Sequence, residues 1–115
     1  MKKADFQNLI TEQFTALQTL TATKGEEYAG AGNDDQHANF NRQAEKLGMP
    51  PEKVLMVYLS KHQDAIDNYV RTGAALSEPI EGRIDDAILY LLLLKAMIRD
   101  RTVIATAAGR NFNPC

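Results

Sequence analysis

The run Ala87–Ile98, AILYLLLLKAMI, limits what this chain can fold into more than any other feature. Apolar residues fill nearly every position, so a helix built from it is apolar on nearly every face. With Lys95 inside it, the run reaches only about two-thirds of the ~20 residues that a membrane span needs. It reads as a buried helix, and no membrane partner is expected. A chain of 115 residues holds one hydrophobic core. One core cannot cover such a helix all round, so a second surface is required. Another copy of the same chain is the simplest one, and the expectation is a homo-oligomer through the last long helix.

The remaining signals are helical as well. Phe6, Leu9, Ile10, Phe14, Leu17 and Leu20 recur at i, i+3, i+4 and i+7 and predict a first helix over about 4–23, with Gly25 as its C-cap. The glycine-containing stretch 25–33 reads as a loop. A second helix over 35–47 starts at the N-cap residues Asn33–Asp35, carries Ala38, Phe40, Ala44 and Leu47, and stops at Gly48. Pro50-Pro51 opens a third over 51–72, with Leu55, Tyr58, His62, Ala65, Ile66 and Tyr69 inward and Gly73 as its stop. Ser77 caps a fourth over 78–100, with Pro79 just inside it. The segment Thr102–Ala107 reads as helical or extended, and Ala108–Cys115 as a tail. The fold class is all-α: a four-helix, bundle-like single domain over 1–107.

Composition narrows function mainly by exclusion. The formal net charge is −2, and Lys and Arg are scattered singly, so no nucleic-acid partner is expected. The one cysteine, Cys115, leaves no disulfide framework and favours the cytoplasm. The N-terminal MKKADFQNLI lacks the apolar run of a signal peptide. The acids are unevenly spread: Glu26, Glu27, Asp34 and Asp35 form one window, and Glu78, Glu81, Asp85 and Asp86 another, offset only by Arg83.

The second window carries the sharper signal. Glu78 and Glu81 suit the positive end of a helix dipole. Asp86 is harder to explain that way, since it shares a face with Tyr90, Leu93 and Met97 and so stands at the mouth of a core. On the third helix, His62 falls on the inward stripe, where a hydrogen-bonded core histidine is the preferred reading over a metal ligand. Lys61 pairs with Asp64 at i+3 or with Asp86 across the helices, or meets a phosphate. Lys24, Glu27 and Tyr28 end the first helix, and Asn39 is placed to hydrogen-bond a base, a ribose or a metal-bound water. No phosphate-cradling glycine loop, HExxH motif or nucleophile elbow is present. Carboxylates drawn from several helices would make an oxygen-rich site suited to Mg²⁺ or Mn²⁺, and such ions suit a phosphorylated ligand.

The order of these motifs resembles a known family. Lys24-x-x-Glu27-Tyr28, Asn39-Phe40, Tyr58-Leu59-x-Lys61-His62 and Ile84-Asp85-Asp86-x-x-x-Tyr90-Leu91-x-Leu93 follow one another as in the phage and prophage nucleotide-modification-associated domain family, over roughly residues 9–98. That family is distantly similar to the all-α MazG-type nucleotide pyrophosphohydrolases, which hold magnesium through ExxE and ExxD helices. The resemblance implies a phage-type nucleotide-handling protein in the host cytoplasm. It implies catalytic roles for Glu27, Asp64 and Asp86, and metal ligation by Glu27, Asp64, Asp85 and Asp86. It also implies ligand contacts from Lys24, Tyr28, Asn39, Lys61, His62, Arg83 and Tyr90. The chain departs from the enzymes in lacking ExxE, in spacing Glu81 and Asp85 four apart, and in placing Lys61, His62 and Asp64 where glutamates stand. Three functions are therefore expected in competition: a Mg²⁺-dependent nucleoside triphosphate pyrophosphohydrolase, a non-enzymatic nucleotide or second-messenger sequestering protein of the counter-defence kind, and a helical oligomeric interaction protein with no small-molecule site.

Overall fold

The computed structural model describes residues 1–29, 35–74 and 78–107, with backbone alone at 23–29 and 102–107. The fold is all-α. Four helices, α1 (Lys3–Ala29), α2 (Ala38–Leu47), α3 (Pro51–Thr72) and α4 (Ile80–Ala107), follow in order, with no strand among the described residues. Two compact units divide the chain, Met1–Asn39 and Phe40–Cys115.

In the first unit α1 is longer than the sequence predicts. Gly25 does not cap it, and positions 25–29, expected as loop, are helical. One interior glycine costs a helix only about 1 kcal/mol, and Glu26, Glu27 and Ala29 favour continuing it. Threonines 11, 15 and 21 turn their hydroxyls back onto the carbonyls of Gln7, Thr11 and Leu17 at 3.2, 3.1 and 2.9 Å, satisfying themselves within the helix. Of the predicted apolar stripe Leu17 is buried and Ile10 and Leu20 half-buried, while Phe6, Leu9 and Phe14 remain 52%, 41% and 60% exposed.

Helix α2 starts three residues later than expected, at Ala38. Asp35 Oδ1 accepts the His37 N–H at 2.9 Å, and the Asp35 carbonyl accepts the Ala38 N–H at 3.2 Å. Asp35 thus makes the side-chain bond of a capping residue, closing the turn 35–38 that leads into the regular helix. The proposed cap residues Asn33 and Ser77, and the tail Ala108–Cys115, lie outside the described residues.

In the second unit the punctuation holds. Gly48, at φ 65°, ends α2, and the Met49 N–H reaches the Ala44 carbonyl at 3.1 Å in the six-to-one pattern of a Schellman close. Pro50 has extended backbone before α3, and Pro51 takes the first helical position. Gly73, at φ 74°, ends α3 and donates to the Tyr69 carbonyl at 2.7 Å. The Pro79 carbonyl accepts the Arg83 N–H at 3.2 Å, so Pro79 stands just outside α4. At its far end α4 continues through 102–107, deciding that ambiguous stretch as helix.

Helices α3 and α4 pack together as an antiparallel pair, with Glu52 near the start of α3 bonded to Arg101 late in α4 and His62 beside Asp86 early in α4. Phe40 and Ala44 of α2, Val54 and Leu55 of α3, and Met97 of α4 form the core. Met49, Tyr58, Tyr90, Leu93 and Leu94 pack around it. The buried face of α3 is wider than the predicted stripe, because Val54 and Leu59 join Leu55 inside. On α4, Met97 is buried while Ile84, Leu91 and Leu92 stay 41%, 51% and 45% exposed. No described helix is long and apolar enough to cross a membrane.

Candidate functional site

The described part of the site is carried by the polar end of the α3–α4 pair. His62 lies on the inner face of α3, one turn after Tyr58, because residues four apart share a face. Asp86 and Tyr90 share a face of α4 for the same reason, and Arg83 lies one turn before Asp86. Antiparallel packing then brings His62 between the two groups.

Arg83 Nη1 lies 3.3 Å from His62 Nδ1. A guanidinium only donates, so Nδ1 accepts and the neutral ring carries its hydrogen on Nε2. Asp86 Oδ2 stands 3.8 Å from the same nitrogen, too long for a hydrogen bond but close enough for charge to be felt. Arg83 Nε lies 3.5 Å from Glu78 Oε2. The line of contacts Glu78, Arg83, His62, Asp86 thus sets two nitrogen bases side by side with an acid at each end. Burial pulls the His62 pKa below 6.5; Asp86 and Glu78 oppose that pull, while Arg83 and Lys61 add to it.

Flat rings continue the site toward the core. His62 stacks on Tyr90 with centroids 5.4 Å apart, and Tyr58 lies nearly parallel to Tyr90 at 6.5 Å. Phe40 meets both tyrosines edge-on at 5.9 and 6.2 Å. Lys61 Nζ stands 5.8 Å over the Tyr58 ring, a cation–π position. The half-buried tyrosines and the histidine therefore form a stacked group, with one cation at each end.

Of the residues singled out in the sequence, Lys61, His62, Arg83, Asp86 and Tyr90 are brought together. Asp86 is approached by His62, while Lys61 turns to Tyr58. Asp64 is exposed, and two residues past His62 place it about 200° round α3. Asp85 is half-buried on α4, and Asn39 half-buried in the first turn of α2. The side chains of Lys24, Glu27 and Tyr28 lie outside the described residues. The described part of the expected metal set, Asp64, Asp85 and Asp86, is not gathered: among the described residues no three His, Cys, Asp or Glu side chains are arranged to hold a metal ion.

Sequence reasoning assigned Tyr58 and Phe40 to the core only, and Glu78 to the helix dipole only. The i, i+4 spacing of Tyr58 and His62 was the available signal for the first. Glu78 and Arg83 are five residues apart across the start of α4, where no helical spacing rule applies. No family model, curated protein or solved structure matches the chain.

Proposed function

We propose that this chain is a nucleotide-binding protein whose second unit recognises the base by stacking and the phosphates by charge. The observation that supports it is the stacked Tyr58, Tyr90 and His62 group with Lys61 at one end and Arg83 at the other. Aromatic faces accept any base, each stack contributing about 1–3 kcal/mol. A guanidinium held between Glu78 and His62 is already oriented, so little of its side-chain freedom remains to be lost on meeting a phosphate. Sequestration without turnover is the form of this reading that needs only these groups. Calorimetry with ATP, the deoxynucleoside triphosphates and cyclic dinucleotides tests it. Micromolar binding without Mg²⁺, lost in Arg83→Ala, is the expected result; no heat with any of them removes the reading and leaves a helical interaction protein.

A second reading, a Mg²⁺- or Mn²⁺-dependent nucleoside triphosphate pyrophosphohydrolase, is favoured by Asp86 standing beside His62 and by the motif order shared with the nucleotide-modification-associated family. Pyrophosphate release from a nucleoside triphosphate with Mg²⁺, abolished by Asp86→Ala, would establish it in place of sequestration. A phage or prophage origin and action in the host cytoplasm belong to the same resemblance.

A further inference from the structure

Helix α4 has a second face, opposite the site. Numbering its turns from Asp86, Tyr90, Leu93 and Met97 toward the core leaves Ile84, Ile88, Leu91, Lys95 and Ile98 on the other side. Their spacings are four, three, four and three, the a and d rhythm of a coiled coil rather than the broader stripe of a core helix. Ile84, Leu91 and Ile98 are 41%, 51% and 36% exposed. A seven-residue repeat drifts only about 20° per heptad, so the three stay on one line along the helix.

One flank of this stripe carries charge in a telling order. Asp85, Leu92 and Arg99 are each seven residues apart, at the same flanking position in three successive heptads. In antiparallel coiled coils that flank faces the same flank of the partner. Reversing Asp85–Leu92–Arg99 against itself sets Asp against Arg at both ends and Leu against Leu in the middle. Like charges at i, i+4 add to the case. Glu81 with Asp85, and Lys95 with Arg99, each oppose an isolated helix. The helix dipole accounts for Glu81, which lies in the first turn, but α4 runs on to Ala107, so Lys95 and Arg99 are too far from its end to be explained that way.

We propose that α4 pairs with α4 of a second copy of this chain, antiparallel, about a two-fold axis passing at Leu92. Ile88 packs against Ile98 of the other copy, Leu91 against the aliphatic stem of Lys95, and Asp85 pairs with Arg99. Because the stripe and the His62–Arg83–Asp86 cluster lie on opposite faces of α4, pairing leaves the cluster uncovered. The proposal stands independently of the nucleotide reading.

Sedimentation velocity and light scattering on the full chain test it. The expected species has twice the 12.8 kDa chain mass. Leu91→Glu is expected to give the single-chain mass with helicity unchanged by circular dichroism. Should that variant fail to fold, the charge variants decide: Asp85→Arg and Arg99→Asp each weaken the dimer at least several-fold, and together they restore it. Orientation is read by oxidation in a Cys115→Ser background. A mixture of Ile88→Cys and Ile98→Cys chains cross-links, while Ile98→Cys alone does not. A wild-type monomer at tens of micromolar, a double charge variant no better than the singles, or cross-linking of Ile98→Cys with itself overturns the proposal.

Discussion

The α3–α4 pair is one hairpin of two helices with unlike ends. At the end where α3 begins, Val54 and Leu55 meet Met97 and the α2 residues Phe40 and Ala44, and Leu55 has no exposed surface. One to two turns on, the same faces carry Tyr58 and His62 against Tyr90, Asp86 and Arg83, all half-buried. The backbone geometry is the same, so the difference lies in the side chains. The first end gains from transfer out of water and from close packing. The second holds together groups that would each be costly to bury alone, and holds them only because each has a partner. An end built this way contributes less to stability and, under the proposed function, more to ligand recognition, and substitutions at the two ends separate the two contributions.

The largest effect belongs at the aliphatic end. Leu55→Ala is expected to cost about 2–5 kcal/mol, the transfer loss plus the cavity left in a core that collapses only partly. Chemical denaturation followed by circular dichroism measures it. The same experiment on Tyr90→Leu, which keeps apolar volume at the polar end, is expected to cost much less. Equal losses would erase the distinction between the ends.

The comparison reverses for ligand. Tyr90→Leu removes the ring on which both Tyr58 and His62 stack. It is expected to weaken nucleotide affinity about tenfold, within the 1–3 kcal/mol of one lost stack. Leu55→Ala, in whatever fraction stays folded, is expected to leave affinity nearly unchanged. Calorimetry at a temperature where both variants are folded checks the pair.

How far these ends were legible in the sequence follows from what kind of signal each leaves. Gly48, Gly73 and Pro50-Pro51 act through their own backbone restrictions, so they could be read one residue at a time. Gly25 could not, because a glycine breaks a helix only when its neighbours agree, and Glu26 and Glu27 do not. His62 and Asp86 were visible as polar groups out of place on apolar stripes. Their alignment with Arg83 depends on how the antiparallel helices register, which no local pattern encodes. Leu59 was left out of the predicted stripe, although it stands four residues past Leu55 on the same side of α3 and is buried with it. The Glu52–Arg101 bond also needs α4 to remain helical past Asp100, where the sequence left helix and extended chain open.

That bond gives a smaller test of the aliphatic end. Arg101 Nη2 lies 2.5 Å from Glu52 Oε1, and the glutamate side chain is only 18% exposed. Its other oxygen, Oε2, is buried with no hydrogen-bond partner among the described residues. Arg101→Ala would leave a half-buried carboxylate without that charge partner. The arginine is itself about half exposed, so solvent screens the pair and the expected loss is about 1 kcal/mol. Arg101→Ala with Glu52→Gln is expected to recover part of it, as a double-mutant cycle would show.

The smallest effect, and the most specific to the polar end, is the titration of His62. Its pKa lies below 6.5 in the folded chain, first through burial and then through Arg83 and Lys61 against the opposing pull of Asp86 and Glu78. Unfolding returns it to about 6.5. Between those values the unfolded chain binds more protons, so stability is fully present above pH 6.5 and declines as pH falls through the folded pKa. Arg83→Met removes both a positive neighbour and the donor that holds the neutral ring, so the His62 pKa should rise. Asp86→Asn removes the main group favouring the charged ring, so it should fall further. Proton NMR of the ring signals reads both shifts, and His37, the other histidine, serves as an internal reference. Opposite shifts in the two variants mean that His62 senses Arg83 and Asp86 together. A common shift, or none, would mean that burial alone governs the ring and that the line of contacts from Glu78 to Asp86 carries no electrostatic coupling.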